Sequence, residues 1–388
     1  MFERNFLNLC VEVSQTMRQK CKLVLSDGSS FQGDLIGAPL RASGELVFTT
    51  GMVGYSEAIT DPSYFGQILC FTYPLIGNYG IPDLPKGLGL QLPFPSGFES
   101  ARANAAAVIL TIDSPEVFHW NSFQSIDEWL KNQGVPCVVG LDTRHLVHLI
   151  RSQPNLLGRI EPEHAEGYRD MGALTPKSPN AFFDPGMNNI MTEVSVKERV
   201  RLGKGSTRVG LVDCGVKWNI IRQFINFGCE VELLPWDTDL STVDCDMWLL
   251  SNGPGDPTRT GDLTQHVEKL LHEDRPVLGI CLGHQILSLA AGAITRRMPY
   301  GHRSHNQPVY ECGTRRGYIT SQNHGYVVED ASLPSEWEAW FRNVNDQTIE
   351  GIRHKTKPFR SVQFHPEASG GPRDTSWIFE QILAEVKK

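Results

Sequence analysis

Two rhythms of apolar spacing divide this chain. In its first half, KLVLSDGSSFQG (22–33) and GELVFTTGMVGY (44–55) gather apolar residues in short runs at strand spacing. The Asp27-Gly28 pair inside the first run predicts a turn between two strands. NAAAVILTI (104–112) predicts a buried strand, IDEWLKNQG (126–134) an amphipathic helix stopped by Gly134, and VPCVVGL (135–141) another strand. TRHLVHLIRSQ (143–153) predicts a helix whose apolar residues are Leu146, Val147, Leu149 and Ile150. The stretch IPDLPKGLGLQLPFPSGF (81–98) follows neither period and predicts loop.

From about residue 207 the alternation becomes regular. RVGLVDC, EVELLPW, MWLLSNG and PVLGI predict strands, and WNIIRQFINFG, LTQHVEKLLHE and HQILSLAAG predict helices between or after them. Strands separated by helices imply a parallel sheet covered on both faces, with ligands beyond the carboxyl ends of its strands. Three glycine-rich turns fall at such ends: DCG (213–215), SNGPGDP (251–257) and GICLG (279–283). They are expected to converge on one crevice. The expected organisation is an amino-terminal extension at 1–20, a mixed α+β domain at 21–195, a charged, glycine-containing linker at 196–206, and an α/β domain at 207–388 with a mostly parallel, doubly wound sheet.

Composition narrows the function classes. A length of 388 residues suits two or three domains. The net charge of −8 and the lack of a Lys/Arg run argue against a nucleic-acid surface. No apolar run approaches the ~18 residues of a membrane span. The first residues, MFERNFLNLCVEVSQTMRQKCK, lack the basic and apolar regions of a secretory signal and are not Arg-rich. Nine cysteines, with no CxxC pair and no metal-ligand spacing, favour reduced thiols in a cytoplasmic chain. No repeat or low-complexity tract occurs.

One cysteine stands apart. In Gly279-Ile280-Cys281-Leu282-Gly283 a strand is expected to end and a helix to begin within one residue, and small neighbours are what so sharp a turn demands. A cysteine there sits at a helix amino end, where thiolate is favoured against a free pKa of ~8.5, and the next backbone N–H can receive an oxyanion. Such a nucleophile needs a proton carrier. SVQFHPEA (361–368) supplies His365, and Glu367 two residues on can accept the other ring N–H. No other His, Asp or Glu stands at ligand spacing beside His365, so no metal is expected.

GICLGHQ, SNGPGDP and SVQFHPEA together resemble the class I (triad) glutamine amidotransferases, over residues 207–388. The resemblance implies attack of Cys281 on the side-chain amide of L-glutamine, release of ammonia, and hydrolysis of a γ-glutamyl thioester. His365 would shuttle the proton and Glu367 would orient it, and the backbone N–H groups of Gly253 and Leu282 would hold the oxyanion. GYSEAITDPSYFGQILCFTYPLIGNYG (54–80), GVPCVVGLDTRHL (134–146) and DCGVKWNIIR (213–222) resemble the small, glutaminase chain of carbamoyl-phosphate synthetase. GMVGY, TYPLIGNYGIP and HNQPV look more like the fused eukaryotic pyrimidine-pathway form than bacterial small chains.

The resemblance further implies glutamine-binding roles for Ser63, Gly253, Gly255, Leu282, Gln285, Asn323, Gly325 and Tyr326, with Ser63 reaching in from the first domain. Tyr326 stands where phenylalanine is frequent and is expected to act through its backbone. Ser304 stands where glycine is common, which would strain a loop needing positive φ. His284, His302, His305 and His324 are expected to be hydrogen-bonded structural residues. Trp236 and Trp248 are expected in the core, and GPGDP lacks the residues of a phosphate loop. No cofactor is expected in this chain. ATP, Mg and bicarbonate would be used by the partner, a synthetase large chain or fused synthetase domain. Two other readings remain: an amidotransferase serving another synthetase, against which residues 54–80 speak, and a non-catalytic scaffold, against which the complete Cys281, His365 and Glu367 set speaks.

Overall fold

The computed structural model describes residues 18–386 apart from 86, 88 and 177. Residues 1–17 of the expected extension lie outside the described residues. Lys20 already opens the first strand, Lys20–Leu25, and Arg18 pairs with Asp113 at 2.8 Å.

Seven strands of the amino-terminal half close into a barrel. Around it run Lys20–Leu25, Ser30–Gly37, Pro136–Val139, Ala107–Leu110, Gln67–Phe71, Ala42–Thr49 and Leu157–Pro162. The three junctions from Pro136–Val139 to Ala42–Thr49 are parallel and the others antiparallel. Alternate residues serve different apolar clusters. Leu46, Phe48, Ile68, Cys70 and Ile109 join one, and Val47, Leu69, Phe71, Val108 and Leu110 the other. A strand buried on both faces shows a continuous apolar run, which explains AVIL at 107–110. The helices Ile126–Asn132 and Thr143–Ser152 form where expected. Ser125 caps the first in a capping box with Glu128, and Asp142 caps the second through the His145 amide.

The carboxy-terminal half builds one ten-stranded sheet. Its middle five strands, Cys229–Pro235, Thr207–Asp213, Met247–Leu250, Val277–Ile280 and Phe359–Val362, are mutually parallel. The other five pair antiparallel, so the expected mostly parallel sheet is corrected to a mixed one. The reason lies in the connections. Parallel neighbours need a crossover long enough for a helix, and between helix Leu282–Ala290 and helix Trp377–Val386 the described residues contain no other α-helix. Strands Thr295–Glu311, Gly317–Val328, Trp337–Asn343 and Ile349–His354 therefore return as antiparallel ribbons.

The expected linker is corrected too. Val200–Leu202 is a strand that pairs antiparallel with Cys229–Pro235 at the sheet edge, with Val200 opposite Leu233 and Leu202 opposite Val231. Leu202 is buried while Arg201 faces out, an alternation too short to stand out among the charges around it.

The halves join through a shared apolar cluster in which Phe94 of the 81–98 loop stacks on Trp218, centroids 4.5 Å apart. Arg222 Nη2 donates to the carbonyls of Pro95 and Phe98 at 2.7 Å. Trp248 is fully buried and Trp236 is half-buried against the core. Among the described residues no helix is long and apolar enough to cross a membrane.

Candidate active site

The Val277–Ile280 strand ends at Cys281, and helix Leu282–Ala290 starts at the next residue. Cys281 takes φ 53° and ψ −102°, a region that L side chains rarely adopt. The turn is tight. A Cβ on Gly279 would lie 2.5 Å from the Gly283 carbonyl oxygen, and one on Gly283 2.1 Å from that of Leu250. Both glycines are therefore demanded by the elbow. The Cys281 thiol does not cap its own helix. It donates to the Asn323 carbonyl and accepts from Gln363 Nε2, both at 3.7 Å.

The three glycine-rich turns do converge. The Cys214 amide donates to Ser251 Oγ at 2.9 Å, and the Gly283 amide to the Ser251 carbonyl at 3.0 Å. A Cβ on Gly253 would lie 2.1 Å from the Cys214 carbonyl oxygen. The cleft above them is lined by Ser63, Gly253, Gly255, Cys281, Leu282, Gln285, Asn323, Gly325 and Tyr326. All eight residues expected to hold glutamine thus border one space with Cys281. Ser63 belongs to the barrel half, and its hydroxyl accepts from Asn252 Nδ2 at 2.9 Å across the junction. Gln285 Nε2 donates to the Tyr326 carbonyl at 3.2 Å and to Gln363 Oε1 at 3.0 Å.

His365 follows the Phe359–Val362 strand, tied by its amide to the Ser321 carbonyl at 2.9 Å. Its Nδ1 lies 2.7 Å from Glu367 Oε1, and both side chains are buried. Its Nε2 is buried with no hydrogen-bond partner among the described residues. His365 does not border the glutamine cleft. It lines a smaller space behind, with Asp61, Lys217 and Asn323.

Lys217 escaped the sequence reading of the site. Its Nζ lies 3.2 Å from Glu367 Oε1, 3.4 Å from Asp61 Oδ2 and 3.2 Å from His365 Nδ1. An ammonium has only protons to give, and Nδ1 needs its own proton to reach Glu367, so the carboxylates are the partners of Lys217. Burial opposes the charge on Glu367, but His365 and Lys217 outweigh it and hold its pKa at about 2. Burial and Lys217 pull the His365 pKa down, yet Glu367 and Cys281 outweigh them and lift it to about 9. The ring is therefore held ready to carry a proton. Burial likewise disfavours the Lys217 charge, and Asp61, Glu367 and Glu99 reverse that and raise its pKa. A lysine inside the apolar run GVKWNII was the signal available for it.

Two expectations change here. Ser304 lies in strand Thr295–Glu311 opposite Gln322, and it is absent from the positive-φ residues, so no glycine-type strain arises. Tyr326 contributes more than backbone, because its hydroxyl donates to Asp256 Oδ2 at 3.1 Å and ties the cleft wall to the SNGPGDP turn. The structural reading of His284, His302 and His324 fits their contacts. His284 bonds Ser361 at 2.8 Å, His302 bonds Glu350 and Asp346, and His324 bonds Gln322 and the Tyr326 carbonyl.

Comparison with known proteins places the two halves in matching families. The family "Glutamine amidotransferase class-I" matches residues 210–384, and "Carbamoyl-phosphate synthase small chain, CPSase domain" matches residues 23–160. The chain is 41% identical over 384 residues to the carbamoyl phosphate synthase arginine-specific small chain of Neosartorya fischeri, covering 97% of this chain and 82% of that one. It is 46% identical over 365 residues to the multifunctional protein CAD of Squalus acanthias, covering 93% of this chain and 16% of that protein. It is 42% identical over 391 residues to the mitochondrial carbamoyl-phosphate synthase [ammonia] of Aquarana catesbeiana, spanning 25% of its length.

Proposed function

The chain belongs to the carbamoyl-phosphate synthase small-chain family, whose glutaminase component it represents, and on that premise we propose that Cys281, His365 and Glu367 hydrolyse L-glutamine to glutamate and ammonia. The observation that carries this reading is Cys281 at a positive-φ strand-to-helix elbow, with His365 backed by Glu367 at 2.7 Å. The thiolate attacks the side-chain carbonyl carbon, and the oxygen charge falls between the amides of Gly253 and Leu282. The His365 imidazolium protonates the departing nitrogen, and ammonia leaves a γ-glutamyl thioester. Neutral His365 then takes a proton from water as its oxygen attacks the thioester, and glutamate and thiolate are released. Glu367 positions the ring and Lys217 keeps Glu367 ionised.

Ser63, Gly253, Gly255, Leu282, Gln285, Asn323, Gly325 and Tyr326 hold the amino acid. The ammonia goes to a synthetase large chain or fused domain, and that partner uses ATP, Mg and bicarbonate, with no cofactor held here. The proposed setting is cytoplasmic. The test is product formation by the assembled complex with glutamine or ammonia as nitrogen donor. Cys281→Ser keeps the elbow but replaces the thiol with a far weaker nucleophile. It is expected to abolish glutamine-dependent synthesis and spare synthesis from ammonia. Equal loss with both donors would give Cys281 a role in assembly instead of chemistry.

A further inference from the structure

Three charged side chains border the cleft: Glu45, Arg297 and Arg303. Two of them satisfy each other. Arg297 Nη2 donates to Glu45 Oε1 at 2.5 Å and to Asn155 Oδ1 at 3.0 Å, and Glu45 Oε2 accepts from Gln67 Nε2 at 2.8 Å. Arg303 is left over. Its side chain is 6% exposed, yet the one carboxylate within ion-pair reach among the described residues, Glu45, stands 4.0 Å from its Nη2. Its Nε is buried with no hydrogen-bond partner among them. A buried N–H without an acceptor is costly, and a guanidinium this enclosed in the cleft wall, with its nearest carboxylate 4.0 Å away, is placed to take an acceptor supplied by a ligand.

Arg303 packs closely on the facing strand: a Cβ on Gly301 would lie 2.1 Å from the His324 carbonyl oxygen and 2.4 Å from Arg303 Nη1, so this glycine lets backbone and guanidinium come together. Arg303 also stands opposite Asn323 in the strand pairing, and the Asn323 carbonyl receives the Cys281 thiol. His324 brings no competing charge, because burial first, then His302, drives its pKa well below the usual histidine value. The cleft wall therefore carries one cation more than it balances, on the strand pair that also borders the reactive sulfur.

We propose that Arg303 is a specificity-determining residue that receives the α-carboxylate of the amino acid bound in the cleft. This deepens the glutaminase reading and rests on it. The backbone amides of the glycine turns can bind any amide-bearing chain by shape, whereas Arg303 selects ligands that carry a carboxylate at the end remote from Cys281.

The test measures dissociation constants by calorimetry in the full chain carrying Cys281→Ser, which binds without turnover. The probes are L-glutamine and its α-amide, in which the carboxylate is a neutral carboxamide. Adding Arg303→Gln is expected to weaken L-glutamine about 10- to 100-fold, the range for a charge-assisted hydrogen bond, and to shrink the preference over the α-amide by the same factor. Arg303→Lys keeps the charge and covers the case in which Arg303→Gln fails to fold. It is expected to give a smaller loss in the same direction. An unchanged dissociation constant, or a weakening that leaves the preference intact, would overturn the assignment while leaving the glutaminase reading standing. Failure of the Cys281→Ser parent to bind L-glutamine at all would remove that reading, and this proposal with it.

Discussion

His365 and Glu367 meet at 2.7 Å, and His302 and Glu350 meet at 3.0 Å, both pairs shut away from solvent on neighbouring parts of one sheet. The chemistry of each pair is the same, and the second ring nitrogen makes the difference. His302 Nε2 is bound to Asp346 at 2.9 Å, which leaves no nitrogen for a substrate, whereas His365 Nε2 is free of hydrogen bonds among the described residues. The carboxylates differ too. Burial raises the Glu350 pKa above its ordinary value despite His302, while Glu367 is held at about 2 because Lys217 adds a full positive charge to that of His365. A buried His–Glu pair becomes a proton relay only when one nitrogen is spared and the carboxylate is kept ionised.

The widest separation is expected from matched substitutions. His365→Asn should lower glutamine hydrolysis by about 10³-fold or more, because nucleophile and base act as a unit. His302→Asn should stay within about tenfold of the parent and show its effect in thermal unfolding instead. Comparable losses of rate in both would erase the distinction. Next is Lys217→Met, which leaves Asp61, Glu99 and Glu367 without the cation they share. Stability in urea is expected to fall by about 3–5 kcal/mol, as for other broken buried pairs. An unchanged midpoint would show that the three carboxylates do not depend on it.

Glu367→Gln removes one of the charges that lift the His365 pKa. kcat/KM for glutamine is expected to drop about 10²-fold, with the alkaline limb of its pH profile moved to lower pH. A profile and rate both unaltered would take Glu367 out of the relay. The smallest effect is in stability against pH. The His365 pKa is raised to about 9, so its stabilising contribution is complete below the unfolded value of ~6.5 and is lost as pH rises through about 9. Glu367 works in the opposite sense, and its contribution is lost as pH falls through about 2. The difference in melting temperature between the parent and His365→Asn should accordingly narrow from pH 6 to pH 9.5.

What could be read from the amino acids was whatever is local. Cys281 between two glycines, and His365 with Glu367 two residues on, are neighbours along the chain, and so are the strand–helix alternations of 207–292. What could not be read depends on distant residues meeting. The barrel closes through Lys20–Leu25 and Leu157–Pro162, a pairing that no local pattern encodes. The antiparallel strands after 295 are rich in polar residues, as in GHRSHNQP, because they line a cleft, and that blurs the alternation used to find strands. Lys217 and Asp61 come to the relay from different halves, and nothing beside either in sequence announces a carboxylate 150 or 306 positions further on.

The backbone of Cys281 carries a consequence for anyone evolving this protein. At φ 53° and ψ −102° the residue occupies the mirror image of an extended conformation, open to glycine and costly for any other side chain by about 1–3 kcal/mol. A library screened only for survival after heating would therefore enrich glycine at 281, and each such winner would be a hardier protein with nothing to attack an amide. Hardiness and reactivity compete at this one α-carbon, so a thermal screen needs a turnover readout beside it from the first round.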